Sequence, residues 1–310
     1  MTKPTDLEPS RLGTKEYWDN LYKTEIANHA HDPADTGTVW FDDSDAENKL
    51  VAFLEDRSQE QEEDFAVLAD QSKTSFLDLG TGNGALLFCL RDAGWEGPML
   101  GVDYSPLSVE FARRIERGRR LGDGDRDGRD AEEDGEEKKG GEIDIHFQEY
   151  DLLHDSPSTI LTPSFSPTVA AAGGWDVVLD KGTFDAISLS AETTRTTNNT
   201  NINITTINTT ANATTESNST TRRINSTYPS RILPLIREGG LFLVTSCNWT
   251  EDELRGWFEE DSDTQLQGEW AFKVVGRVEY RSFSFGGVKG QTISSLCFRK
   301  VRRQQGGSST

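Results

Sequence analysis

Residues 76–88 read FLDLGTGNGALLF: an apolar run meets a carboxylate, Asp78, and glycines follow at alternate positions, Gly80, Gly82 and Gly84. A bare backbone lets a cofactor approach closely and lets the chain turn through conformations that a Cβ disfavours. Read as G-x-G-x-x-A (Gly80, Gly82, Ala85), the loop fits the nicotinamide-dinucleotide fingerprint; read as D-x-G-x-G-x-G (Asp78, Gly80, Gly82, Gly84), it fits a loop that holds S-adenosylmethionine. A plain strand-to-helix turn can carry the same glycines. Asp103 ends the next apolar run, 23 residues after Gly80, where a carboxylate can accept from both ribose hydroxyls. That points to an adenosine-bearing cofactor without choosing between the two. Further on, EYDLL places Asp151 where an adenine edge would lie, and LDKGTFDAI places Asp180, Lys181 and Gly182 at the end of a fourth apolar run.

These side chains need elements to position them. SFLDLG (75–80) has the pattern of a short buried strand, and GALLFCLRDAG that of a helix, with Leu86, Leu87 and Leu90 on one face and Gly94 as its stop. MLGVDYS (99–105) is a second strand, and Pro106 opens a helix running to about Gly118. IDIHFQEYDLL (143–153) restores a strand, and WDVVLDKGTFDAISLS (175–190) reads as strand, turn and helix start. ILPLIREGG (232–240) reads as a glycine-capped helix end, LFLVTSCNW (241–249) as a strand and EDELRGWFEE (251–260) as a helix. The spacing of Thr250 and Glu253 predicts a capping box there. AFKVVGRVEY (271–280) and QTISSLCFRK (291–300) close the chain as a hairpin-like pair. Alternating strands and helices predict an α/β fold, a Rossmann-like seven-stranded and mostly parallel sheet with helices on both faces. Ligands bind outside the carboxyl ends of such strands, so Asp78, Gly80, Gly82, Asp103, Asp151 and Asp180 are expected to rim one crevice.

Bulk properties bound the rest. The 310 residues are 34% hydrophobic, a low share for a globular chain, and the dilution is local. Polar stretches at 119–142, 155–174 and 192–227 predict disordered inserts within a single domain spanning 1–303, with a flexible tail at 304–310. The Thr/Asn-rich tract in 193–227 contains N-x-S/T sequons, but no apolar signal core precedes it in MTKPTDLEPSRLGTKEYW, so an unglycosylated insert in a cytoplasmic protein is expected. Cys89, Cys247 and Cys297 are widely spaced in apolar runs and are expected as buried thiols, not as a disulfide or metal framework. No run of apolar residues is long enough to span a membrane. The net charge is −21, and residues 1–70 hold 18 Asp or Glu against 6 Lys or Arg. Such a surface repels nucleic acid and attracts a basic protein; solubility alone also accounts for it.

LDLGTGNG, GVDYS, YDLL, LDKGTFDAI and SCNWT, in this order, resemble the seven-β-strand S-adenosylmethionine-dependent methyltransferases. Within these the chain is similar to the protein-lysine methyltransferases of translation elongation factor 1-alpha, as are KEYWDNLYKTE (15–25) and GTVWFDD (37–43). The resemblance covers 11–118, 143–153, 175–191 and 228–300; the long inserts depart from it. It implies a sheet ordered 3-2-1-4-5-7-6 with the last strand antiparallel, S-adenosylmethionine as cofactor and a lysine ε-amine as acceptor. Gly80 and Gly82, with Asp78, Thr81, Asn83 and Gly84, would hold the methionine part, Asp103 with Tyr104 the ribose, and Asp151 with Leu152 the adenine. Asp180 would face the methyl group and the incoming lysine.

A carboxylate beside the acceptor raises the amine pKa above its usual value of about 10.4, so Asp180 is expected to position substrate more than to deprotonate it. Asn248 is expected to orient the amine through its carbonyl oxygen. Trp40, Phe41 and Lys181 are the expected substrate-binding residues, whereas Trp18 and Tyr22 are expected to pack an N-terminal helix onto the sheet. The expected partner is a basic protein, elongation factor 1-alpha, met by a monomer. A small-molecule methyltransferase, a nicotinamide oxidoreductase and a non-catalytic binding protein of the same fold stay open at this point.

Overall fold

The computed structural model describes residues 4–60, 62–124, 145–197, 205–207, 219–259, 269–285 and 288–303. Its centre is a seven-stranded sheet of β1 (Phe76–Leu79), β2 (Met99–Asp103), β3 (Ile145–Glu149), β4 (Trp175–Lys181), β8 (Ile236–Ser246), β9 (Trp270–Val278) and β12 (Ser294–Arg302). The spatial order is β3-β2-β1-β4-β8-β12-β9, with β12 antiparallel to both neighbours. The labels depart from the expected numbering because five further strands lie outside this sheet. β5 (Thr193–Thr197), β6 (Thr205–Ile207) and β7 (Ser219–Arg223) form a three-stranded antiparallel sheet, and β10 (Ser282–Phe285) pairs with β11 (Val288–Gln291). Counted within the central sheet, the order is the one the resemblance implied.

Both faces of the sheet are covered, as parallel strands require. Along β1, Phe76 joins a core under α1 (Lys15–His31), α2 (Ala46–Glu60), α3 (Ala85–Asp92) and α4 (Pro106–Gly124). Leu77 and Leu79 join the opposite core, under α5 (Pro167–Ala172), α6 (Thr183–Ser188), α7 (Tyr228–Ile232) and α8 (Glu251–Phe258). The alternation follows from the two-residue period of a strand. The expected capping box forms: Glu253 N donates to Thr250 Oγ1 at 3.3 Å and Thr250 N to Glu253 Oε2 at 2.9 Å.

Several local expectations change. The helix after β2 does not stop near Gly118 but runs to Gly124, while 125–144 lie outside the described residues. Residues 232–240 are not a helix end: α7 ends at Ile232 and β8 has begun by Ile236, with an irregular register between Trp175 and Val177 that accommodates Gly239 and Gly240. The stretch 155–174 contains α5, capped by Ser166 and Gly173, and buries Ile160 and Val169 in the core. The stretch 192–227 contributes β5–β7 and a buried turn, Ile224–Thr227; 198–204 and 208–218 lie outside the described residues. In both segments sparse apolar residues reach the core, which composition averages hide. Cys297 is buried, as expected, whereas Cys89 is half-buried and Cys247 is exposed, against the expectation for those two. Cys247 follows the last residue of β8, where the continuously buried stretch 240–246 ends. Among the described residues no helix is long and apolar enough to cross a membrane.

Candidate active site

Parallel register aligns the strand tips. Leu79 lies opposite both Val102 and Asp180, and Asp103 lies opposite Glu149. Above these tips opens a cleft of about 410 Å³, a volume ordinary for small-molecule sites. The loops after β1, β2, β3 and β4 supply Gly80–Asn83, Asp103, Tyr104, Asp151, Leu152 and Lys181–Thr183. α1 and the segment after it supply Lys15, Trp18, Tyr22, Thr38 and Trp40.

The glycine loop is shaped by close approach. Gly80 has φ +61°, and a Cβ there would lie 2.1 Å from Thr183 Oγ1, which itself donates to Leu79 O at 2.6 Å. The loop is thereby closed onto the start of α6. Thr81 N donates to Val102 O at 2.9 Å and Thr81 Oγ1 to Asp78 Oδ2 at 2.8 Å. Asn83 Oδ1 accepts from Ala85 N at 3.2 Å, and Gly84 is the N-cap of α3, turned towards Phe147.

Asp103 is the most heavily engaged group facing the cleft. Its carboxylate accepts from Ser105 N at 2.9 Å and Gly82 N at 3.2 Å, and Ser108 Oγ lies 2.8 Å away. Burial pushes its pKa up, and these donors pull it back. A carboxylate has about four lone-pair sites, so one remains for a ligand hydroxyl. Tyr22 stands over the same loop, its hydroxyl 3.0 Å from where a Cβ on Gly82 would sit. At the first turn of α1, Lys15 Nζ lies 5.4 Å from the centre of the Tyr104 ring and pairs with Asp19 at 3.1 Å. Asp151 folds back on its own turn, accepting from Leu153 N at 3.0 Å, with His154 Nδ1 2.9 Å from its other oxygen.

The expected rim is only partly assembled. Gly80, Thr81, Gly82, Asn83, Asp103, Tyr104, Asp151, Leu152, Trp40 and Lys181 line the cleft; Asp78, Gly84, Asp180, Asn248 and Phe41 do not. Asp78 lies beneath the floor, where burial pushes its pKa up to about 7. Asp180, expected to face the acceptor, is 1% exposed and points into the protein. It accepts from Thr183 N at 2.8 Å, Phe184 N at 3.1 Å and the Tyr228 hydroxyl, and burial pushes it to about 7 as well. The reason is local: Gly182 turns the chain at φ +90°, and Asp180 serves the open amides of α6. Asn248 is half-buried on the β8–α8 turn, its backbone N–H donating to Ser246 Oγ at 3.1 Å. Phe41 packs behind Trp40, ring centroids 5.8 Å apart.

Sequence reasoning missed Thr14, Lys15, Trp18, Tyr22, Thr38, Ser190 and Glu192, all of which line the cleft. A signal existed for three of them, because Lys15, Trp18 and Tyr22 fall at helical spacing on one stripe of α1. Trp18 and Tyr22 do belong to the core, as expected, and present their remaining surface to the cleft. Ser190 and Glu192 carry no local signal.

A methyltransferase domain family matches residues 70–287 of the chain. The protein-lysine N-methyltransferase EFM4 of Saccharomyces cerevisiae is 33% identical over 300 residues, covering 97% of this chain and 99% of that protein. Its Schizosaccharomyces pombe counterpart is 32% identical, covering 94% and 95%. EEF1A lysine methyltransferase 2 of Danio rerio is 29% identical, covering 97% and 92%.

Fold, cleft and family match together define an S-adenosylmethionine-dependent methyltransferase, which resolves the two readings of the glycine loop. The chain belongs to the family of EFM4 and EEF1A lysine methyltransferase 2. Its residues fit the cofactor: the backbone is bare at Gly80 and Gly82, and Asp103 keeps an open acceptor position for a ribose hydroxyl.

Proposed function

We propose that this protein transfers a methyl group from S-adenosylmethionine to a lysine ε-amine of translation elongation factor 1A in the cytoplasm. The observation that carries this reading is the near full-length likeness to relatives named for that activity, on a chain whose strand tips enclose a fitting cleft. Gly80–Asn83 hold the methionine part, Asp103 and Tyr104 the ribose, and Asp151 with Leu152 the adenine. When bound, the cofactor would supply an electrophilic methyl on a sulfonium whose sulfur leaves as a neutral thioether.

The protein supplies alignment and a dry environment, the main levers for a displacement of this kind. Trp18, Tyr22 and Trp40 make one aromatic wall, with Trp18 and Trp40 centroids 5.1 Å apart and Trp18 and Tyr22 6.4 Å apart. Such a wall takes the aliphatic stem of a lysine and the face of its cation. Excluding water from the channel then disfavours the ammonium and frees the nitrogen lone pair. Asp180 has no part in that step, since three protein donors hold its carboxyl away from the cleft. Exposed Asp42, Asp43 and Asp45 follow Trp40 and Phe41 directly, a local field suited to a basic partner.

The test is incubation with recombinant elongation factor 1A and isotopically labelled S-adenosylmethionine, with mass spectrometry of the product. Label on a lysine of the factor supports the reading. Label only on small molecules, or on none of the lysines, refutes it.

A further inference from the structure

Residues 35–41 form a strap within the 32–45 connection between α1 and α2 and contribute Thr38 and Trp40 to the cleft lining. Polar side chains from three elements hold its backbone. Asn83 Nδ2, on the glycine loop, donates to Thr36 O at 2.9 Å. Glu25 Oε1, on α1, accepts from Thr38 N at 2.9 Å, and His29 Nδ1 lies 2.8 Å from Asp35 O. Lys181 Nζ, at the tip of β4, donates to Trp40 O at 3.0 Å. Lys181 was expected to bind substrate, yet its ammonium is directed into the strap. The same ammonium lies 3.5 Å from Glu47 on α2 and 6.0 Å from the centre of the Phe41 ring, and the Lys181 and Glu47 side chains are only 12% and 14% exposed.

The aromatic side chains of the strap rest on the β4–α6 turn. A Cβ at Gly182 would lie 3.0 Å from Trp40 Cε3 and 3.4 Å from the Phe41 ring, so the indole lies directly on bare backbone. Phe41 adopts φ +66°, a left-handed conformation that costs a residue with a Cβ about 1 kcal/mol and that the surrounding contacts must hold in place. The ammonium of Lys181, the missing side chain of Gly182 and the ring of Trp18 together fix where the Trp40 indole stands.

We propose that Lys181 is a positioning residue for the methyl-acceptor side of the cleft: paired with Glu47, it clamps the Trp40 carbonyl so that the indole forms a fixed wall of the cleft. The clamp sets how well the incoming lysine is aligned and leaves the cofactor contacts untouched. This rests on the lysine-methyltransferase reading above, and one part of the test is independent of it.

The test uses the full chain with Lys181→Met, Lys181→Arg, Trp40→Ala and the Lys181→Met/Trp40→Ala double variant. Lys181→Met raises KM for the protein substrate about tenfold, the scale of one lost charge-assisted hydrogen bond, while the Kd for S-adenosylhomocysteine stays at the wild-type value. Lys181→Arg restores KM because the cation returns. In the Trp40→Ala background Lys181→Met adds nothing, since the wall it positions is gone. Additive effects in the double variant, or an equal loss of cofactor affinity, overturn the proposal. Amide hydrogen exchange gives the arm that needs no activity. Lys181→Met speeds exchange at residues 38–42 and spares the strands, and an unchanged rate there overturns the proposal even if turnover falls. A wild-type chain that methylates no lysine of the elongation factor while exchange changes as expected refutes the functional reading, and the channel role with it.

Discussion

Asp103 offers the sharpest quantitative test of the cleft. Its carboxylate is the one acidic group from the strand tips that is both buried, at 5% exposure, and part of the cleft lining. Three protein donors already converge on it, from Gly82, Ser105 and Ser108, which fixes the carboxylate plane before any ligand arrives. A ribose hydroxyl donating to its open position makes a hydrogen bond to a charged acceptor, worth about 1.5–3 kcal/mol, so losing it weakens cofactor binding roughly 10- to 150-fold. Asp103→Ala also strands the Gly82 amide that the carboxylate orients, and the glycine loop relaxes with it. The expected outcome is a rise of that size in the Kd for S-adenosylhomocysteine by isothermal titration calorimetry, beside a loss of about 1–3 kcal/mol in unfolding free energy by denaturant titration. Asp103→Asn keeps the shape but turns one acceptor into a donor facing other donors, so it falls in the same range. An unchanged Kd in both variants, with the fold intact by circular dichroism, would refute the placement of the ribose and of the cleft chemistry built on it.

The remaining predictions address the groups around the cleft. Asp180→Asn lowers unfolding free energy by about 1–3 kcal/mol, because one of the oxygens that accept from Thr183, Phe184 and Tyr228 becomes an amide donor, yet leaves cofactor Kd and kcat unaltered; a selective collapse of kcat in a folded variant would restore it to the chemistry. Asp78 and Asp180 have folded pKa values raised to about 7 from an unfolded value of 3.8, so the native state binds the extra protons between those limits. Their contribution to stability is therefore present at low pH and lost as pH rises through about 7, and Asp78→Asn flattens that part of a stability–pH profile measured by urea melts. Deleting 198–218 and joining β5 to β7 by a two-residue turn preserves fold and activity, since Thr197 already pairs with Ser219. Deleting 193–227 instead unfolds the protein, because Ile224–Thr227 are buried and Asn225 Nδ2 donates to Asp6 at 3.3 Å; thermal melts of the two deletion variants distinguish the cases.

Much of this protein is written locally. Asp78, Gly80, Gly82 and Asp103 mark the turn after β1 and the end of β2, because a parallel strand buried on both faces must be a short apolar run and the turn after it needs glycine. The capping box at Thr250 and Glu253 was legible for the same reason, since its partners lie three residues apart. The order of the seven strands was implied by the family resemblance, which rests on motifs each moderately specific and telling only in combination.

What tertiary structure alone decided concerns direction and distance. Two carboxylates at the tips of the strands that flank β1, Asp103 and Asp180, look alike in sequence; one faces the cleft and the other serves the amides of α6 and the Tyr228 hydroxyl, 48 residues further along the chain. The wall formed by Trp18, Tyr22 and Trp40 depends on α1 folding back over the sheet, and the Lys181–Trp40 contact spans 141 residues. Strand and turn are chosen by near neighbours along the chain, so a sequence specifies them directly. Which way a side chain faces, and what it meets there, follows from the packing of distant segments against both sides of one sheet, and no local pattern encodes that.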